Sequence, residues 1–327
     1  MPTDRGTKPF RFSVQGYSAT SAADFRSQVR TAESLGYSAF HLADHYLGPG
    51  PALTAAFHPP QDIAAVPAMA MAAEATSHIK IGCRLLCVGY RPAAVLVKEA
   101  MTLDFLSGGR LELGLGAGWI ESEYHAMGVP YDLPGKRIER LEETVALLRQ
   151  AMAGGALDVH GKFVRVSGYR SVPLPVQQPV PLMIGGGNPR ILKLAAREAD
   201  IVSINISNRA GRVGPESLRS ITHEETIKKV QWVKEGAGPR FDQIELEIGL
   251  FFAHITDSAV TFEENYATGL GMTPEQIRRF PHALIGSADH ICDELTRRRE
   301  LYGISYINVP AASMVEFAPI VERMLGK

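Results

Sequence analysis

Apolar and polar positions along this chain follow two rhythms, every second residue and every third or fourth, and the rhythm changes repeatedly. Alternating or continuous apolar runs predict strands at FRFSVQ (10–15), AFHLADH (39–45), IKIGCRLLCV (79–88), RLELGLGAG (110–118), PLMIGGG (181–187), DIVSINIS (200–207), QIELEIGLFFAHIT (243–256) and ISYINVP (304–310). Between them the period lengthens to that of a helix. In RIERLEETVALLRQAM, Ile138, Leu141, Val145, Leu148 and Met152 recur at helical spacing while Glu139, Arg140, Glu142 and Glu143 face away, the pattern of a helix laid on a sheet. AADFRSQVRTAESLGY is expected to stop at Gly36, and NPRILKLAAREAD to start from a capping Asn188 with Pro189 in the first turn.

Eight strand-then-helix units predict an α/β fold, a (β/α)8 TIM barrel with insertions, with functional residues where strands run out into the following loops. A doubly wound open sheet is the competing architecture. No linker or low-complexity stretch divides the chain, so residues 1–327 are expected to form a single domain. Four connections are long: 46–61, 119–136, 153–180 and 208–223. The third contains a predicted hairpin, LDVHGKFVRVSGY, and joins the fourth helix to the fifth strand. The other three follow strands two, four and six, on the face where a barrel binds its ligand.

Composition narrows the function classes. The net charge of −1, with both signs interspersed, gives no footprint for nucleic acid or an anionic membrane. The first ten residues lack an apolar leader segment, and no uncharged run reaches the roughly 18 residues a membrane span needs, so a cytoplasmic protein is expected. Cys83 and Cys87, four apart on a predicted strand, would stand roughly 13 Å apart, too far for a disulfide; with Cys292 they are expected to be reduced.

Glycine carries the first hint of chemistry. Gly114, Gly116 and Gly118 alternate, so in a strand they empty one face, with Leu113, Leu115 and Ala117 on the other. The dinucleotide fingerprint would need glycine at 119 or 121, where Trp119 and Glu121 stand. Either barrel taper or the close approach of a planar ring or phosphate accounts for the emptied face. A second cluster, Gly185-Gly186-Gly187-Asn188, ends a strand and opens a helix, where backbone amides and the helix dipole suit a phosphate. Asp44 and His45 close the second strand. His45 is either a loop histidine bonded to a carboxylate or a proton donor and acceptor whose tautomer Asp44 sets. Gln15, ending the first strand, would lie beside them. His41 and His45, about 13 Å apart by strand rise, cannot share a metal ion, and no metal site is expected.

The segments FRFSVQ, AESLGYSAFHLADHYLG, IGCRLLCVGYRPAAVLVKEAMTLDFLSGGRLELGLGAGWIESEYHAMG, PLMIGGGNPRILKLAAREADIV and PHALIGSADHICDELTRRRELYGISYINV, in this order, resemble the bacterial-luciferase-like superfamily of flavin- and deazaflavin-dependent enzymes. Within it the chain looks most like the branch that uses coenzyme F420. The resemblance implies a homodimeric barrel with the cofactor ring across the strand ends, and a non-prolyl cis peptide at Arg84-Leu85 behind the ring. It matches Gly116-Ala117-Gly118 with Trp119, and Gly185-Gly186-Gly187 with Asn188, to the cofactor-binding loops. Several deazaflavin-dependent relatives carry a glutamate where this chain has Trp119.

The expected activity is hydride transfer between F420 and a small organic substrate. His45 would move the proton, Asp44 orient His45, and Gln15 bond substrate or ring. Trp119 and Tyr124 are candidate pocket walls, and Arg209 and Arg212 candidate partners of the cofactor's anionic tail. The alternative within the fold is an FMN-dependent two-component monooxygenase fed by a separate reductase. A cofactor-free aldolase or glycoside hydrolase would need a lysine or a carboxylate pair at the strand ends, which the predicted ends do not offer. A flavin-storage protein is the non-catalytic alternative.

Overall fold

In the computed structural model, which describes residues 8–56 and 58–327, eight parallel strands close into a (β/α)8 barrel. They are β1 (Arg11–Gly16), β2 (Ala39–Leu42), β3 (Lys80–Cys83), β4 (Leu111–Gly116), β5 (Leu182–Gly186), β6 (Ile201–Ile204), β7 (Glu245–Gly249) and β8 (Ile304–Pro310). Each pairs with its successor. β8 returns to β1 with Tyr306 opposite Arg11 and Asn308 opposite Ser13, and Ile81 opposite Leu111 joins β3 to β4, so the sheet has no open edge. The strands occupy the predicted runs but end sooner, except β1, which shifts by one residue, and β8, which fills its predicted run. Residues 43–45 and 117–118 have left the ladder to form the mouth. Residues 1–7, on which the leader reading rests, lie outside the described residues. No described helix is long and apolar enough to cross a membrane.

Two predicted strands are broken. The run 79–88 is interrupted at the Arg84–Leu85 peptide, which is cis, and resumes at Leu86–Cys87 opposite Leu115 and Gly116 of β4. The run 243–256 leaves the barrel after β7. The Phe251 N–H donates to the His282 carbonyl at 2.7 Å, and Phe252–Ile255 pairs in parallel with Ala283–Gly286, a strand the pattern did not predict. A continuous apolar run does not mark where a chain changes sheets. The predicted hairpin forms, with Ala156–His160 antiparallel to Arg165–Arg170.

Phe12, Val14, Phe40, Leu42, Ile81, Leu113, Leu115 and Ile184 join the main core, packed with the helices around the barrel. The helix Pro134–Ala153 buries Leu141, Val145, Leu148 and Met152 as its spacing predicts, with Ile138 at the margin. Each fully buried side chain of this kind contributes about 1.5–3 kcal/mol, so this layer carries most of the apolar stabilisation. The helix Ala22–Ser34 stops before Gly36, whose φ of +81° suits glycine.

Inside the barrel polar side chains dominate. Glu112 of β4, 3% exposed, takes His41 Nε2 at 3.1 Å, the Tyr306 hydroxyl at 2.7 Å and Arg11 at 2.9 Å. Burial alone would push its carboxyl up; the bond from His41 and the charge of Arg11 outweigh this and hold it at about 2. The insertions after β2, β4 and β6 pack together over one side of the mouth. Ser122 Oγ donates to the Ala52 carbonyl, and Glu121 N–H to the Gly211 carbonyl. Leu47, Ala56 and Ile120 form a small apolar cluster beneath them.

Candidate active site

The chemistry-bearing side chains meet at the C-terminal mouth of the barrel. His45, past the end of β2, has 14% of its side chain exposed and places Nδ1 2.8 Å from Glu123 Oε2. Glu123 sits on the short helix Glu121–Ala126 and is fully buried. It also accepts the Tyr90 hydroxyl at 2.6 Å and the Tyr46 N–H at 2.5 Å. Burial pushes its carboxyl up, and the bonds from His45, Tyr90 and Tyr46 more than offset this, holding it below the ordinary range. A carboxylate only accepts, so the neutral His45 ring carries its hydrogen on Nδ1 and presents a lone pair at Nε2.

Asp44 does not set that tautomer, contrary to the sequence expectation. Its two oxygens take a bidentate pair from Arg91 at 2.9 and 3.0 Å, and Oδ2 also takes the Cys87 N–H at 2.8 Å. Burial would lower the Arg91 guanidinium; Asp44 outweighs it and raises it. Asp44 therefore ties the exit of β2 to the segment after Leu86, while Glu123, from another insertion, meets His45. The motif ESEY reads as the wet face of a short helix, and no local signal distinguishes Glu123 from Glu121.

Gln15 ends at the same mouth, 3% exposed, with Nε2 3.5 Å from the His41 carbonyl and Oε1 without a partner. His41 lies deeper, on Glu112. Trp119 stands edge-on to His45 with ring centres 5.9 Å apart. Tyr124 is fully buried and bonded to Cys87 Sγ at 3.0 Å, so it packs behind the mouth and is not a wall of it. His58, which the sequence did not single out, places its ring 4.4 Å from that of His45.

The emptied glycine face is filled from within. A Cβ on Gly114 would overlap the Cys83 carbonyl and crowd Leu85, and one on Gly116 would lie 3.2 Å from Leu85 Cβ. A Cβ on Gly185 would meet Leu85 Cδ1 at 2.8 Å. These glycines thus make room for Leu85, turned inward at the cis peptide, and not directly for a ligand. Leu85 becomes the floor of the mouth. Gly118, at φ +75°, is held beneath Tyr124 and Cys87. The Arg84 side chain crosses to Glu247 Oε1 and Asn205 Oδ1, both at 2.8 Å, so only its backbone belongs to the floor.

On the other side, Gly185–Asn188 leads into the helix Pro189–Glu198. Asn188 holds the N-cap position without capping. Its Oδ1 instead accepts from Ser207 Oγ at 2.8 Å and Arg209 Nε at 3.0 Å. The first-turn amides are thereby left uncapped by a side chain, and a cation stands beside them, the arrangement an anion needs. Arg212 is exposed. Asn208 Oδ1 is buried and unpartnered, like Gln15 Oε1. Two orphaned acceptors fit a ring with N–H donors and a hydroxylated, phosphorylated tail, features shared by FMN and F420.

Residues 7–220 match the family model for luciferase-like monooxygenases. The chain is 30% identical to the F420-dependent glucose-6-phosphate dehydrogenase of Amycolatopsis mediterranei over 170 residues, 52% of this chain and 49% of that protein. It is 31% identical to the FMNH2-dependent dimethylsulfone monooxygenase of Pseudomonas putida over 127 residues, 38% of this chain and 35% of the other. The chain thus spans less than half the length of either curated relative. The F420-dependent tetrahydromethanopterin reductase of Methanopyrus kandleri superposes with a TM-score of 0.76 at 17% identity, covering 97% of this chain and 98% of that one.

Proposed function

Because the chain belongs to the luciferase-like monooxygenase family, we propose that it is an F420-dependent oxidoreductase that exchanges a hydride with a small organic substrate. The observation that carries this reading is His45. Its Nδ1 is fixed on a buried carboxylate, and its Nε2, at the barrel mouth, makes no hydrogen bond among the described residues. When bound, the deazaflavin supplies a carbon hydride donor or acceptor, so the protein has only to position the substrate and move one proton.

In this reading, His45 Nε2 gives or takes the substrate's proton while Glu123 keeps Nδ1–H in place and stabilises the imidazolium. Gln15 Oε1 accepts an N–H from ring or substrate. Leu85 supports the ring, with the backbones of Arg84 and of Gly116-Ala117-Gly118 around it. Trp119 shields the proton-transfer edge from water. Gly185, Gly186, Gly187 and Asn188, with Ser207 and Arg209, hold the phosphorylated tail. Asp44 braces the strand exit through Arg91.

The second reading is a monooxygenase receiving reduced FMN from a separate reductase, which the alignment with the Pseudomonas enzyme favours. F420 is preferred because the alignment with the F420-dependent dehydrogenase extends over more of this chain. Trp119 stands where several deazaflavin-dependent relatives carry a glutamate, and Glu123 provides a carboxylate four residues later. A homodimer acting in the cytoplasm completes the proposal. The exposed Val95, Phe105 and Leu106 on the helix Ala93–Leu106 support an interface, and the solution mass checks it.

A structure with F420 bound tests the proposal. The expected result is a ring against Leu85, its reacting edge toward His45 and its phosphate at Gly185–Asn188. A ring lodged away from both rims would overturn it.

A further inference from the structure

The insertion after β2 brings a second imidazole back to His45. The rings of His45 and His58 have centres 4.4 Å apart and are tilted by 56°, and Trp119 stands edge-on to both, at 5.9 and 5.7 Å. Each ring has its Nδ1 on an acceptor: Glu123 Oε2 for His45 and the Pro59 carbonyl for His58, both at 2.8 Å. Neither acceptor can donate. Both neutral rings therefore carry hydrogen on Nδ1 and leave Nε2 as a lone pair.

The two rings are nevertheless unequal. His45 touches a buried carboxylate; His58 touches only a neutral carbonyl. Around the pair stand Glu123 from the helix Glu121–Ala126, Trp119 from the exit of β4, and Tyr17 from the exit of β1, edge-on to His58 at 6.2 Å. Tyr90 reaches the pair only through Glu123, and Asp44 is taken by Arg91. A second proton would put two imidazolium rings in contact beside a single carboxylate.

We propose that His45 and His58 form a coupled pair that takes up no more than one proton, with His58 the ring that stays neutral, as the positioning residue that packs against the ring of His45. Burial and the nearby His45 together push His58 down to about 4, in keeping with the geometry. The site then offers one proton-transfer group, His45, with His58 packed beside it as a neutral ring. The catalytic meaning of the pair rests on the function proposed above; its protonation does not.

The test is a pH titration of the ring nitrogens by 15N NMR on the cofactor-free protein, with signals assigned by His58→Asn and His45→Asn. His58 is expected to remain neutral, with hydrogen on Nδ1, down to about pH 5, and in His45→Asn its titration is expected to move upward by about one unit or more. A His58 that titrates near the ordinary histidine value in the unmodified protein, or that His45→Asn leaves unmoved, overturns the pair. His45→Gln replaces His45→Asn if that variant does not fold. Failure of the protein to bind F420 would overturn the proposed function and leave this titration as it is; an independent His58 would do the reverse.

Discussion

Glu123 reaches across 78 positions of chain to hold Nδ1 of His45 at 2.8 Å. The pairing resembles a catalytic base held by a third group, in which the carboxylate fixes the tautomer and stabilises the charged ring. Glu123→Gln keeps the shape, removes the charge and turns an N–H toward at least one of the three donors, His45, Tyr90 and Tyr46, that the carboxylate accepts. Turnover is expected to fall by about 10²- to 10⁴-fold, with F420 affinity nearly unchanged. Steady-state kinetics beside an F420 titration checks this, and unchanged turnover would remove Glu123 and His45 from proton transfer.

Asp44→Asn is expected to behave in the opposite way. It removes the bidentate charged partner of the Arg91 guanidinium and leaves only Glu99, 3.8 Å away, and breaking a buried pair of this kind costs about 3–5 kcal/mol. Because Asp44 does not touch the His45 ring, turnover per folded molecule should stay within about threefold of the parent. Urea unfolding measures the first effect and kinetics the second. A catalytic loss with full stability would return Asp44 to the role the sequence suggested.

Acid is expected to weaken the fold well above the carboxylate range. His58 is pushed down to about 4 by burial and the nearby His45, and His282 to about 3 by burial. Both are neutral when folded and bind a proton near 6.5 when unfolded, so the stability they contribute above that value is lost as pH falls from it toward 4. Each contributes up to about 1.4 kcal/mol per pH unit over that window. Glu112, held at about 2, adds a loss of the same sign lower down, from the ordinary glutamate value toward 2. Urea midpoints between pH 7 and 4 report the slope. His282→Gln should flatten it; an unchanged slope would show that His282 is not the source.

The glycines of β4 are expected to differ in tolerance. Gly114→Ala drives a methyl into the Cys83 backbone and should cost about 1–3 kcal/mol or more, and Leu85→Ala should not rescue it. Gly116→Ala meets only the Leu85 side chain, so it should cost less and be relieved by Leu85→Ala. Thermal midpoints of the four variants decide whether Leu85 is the occupant of the emptied face.

The barrel was legible because period-two runs and helical spacing alternate eight times, and each run needs only a near neighbour to become a strand. His45, Gln15 and the two glycine rims were legible for the same reason: they sit at strand ends, where a barrel keeps its chemistry. What escaped depends on contacts between insertions. Glu123 and His58 are brought to His45 by packing of the loops after β4 and β2, which leaves no periodic trace. Asp44 was misread because adjacency in sequence suggested a bond that Arg91 in fact makes. The alternation of the glycines left both taper and a close approach open, because the occupant, Leu85, turns inward at a backbone break that hydropathy does not show.

An equilibrium titration with F420 and, separately, with FMN tests the central claim most directly, because the mouth of this barrel is argued to be a cofactor site. F420 is expected to bind at micromolar concentration or tighter, with FMN weaker by about tenfold or more, a difference of roughly 1.4 kcal/mol. Tighter binding of FMN, or no binding of either, would contradict the account.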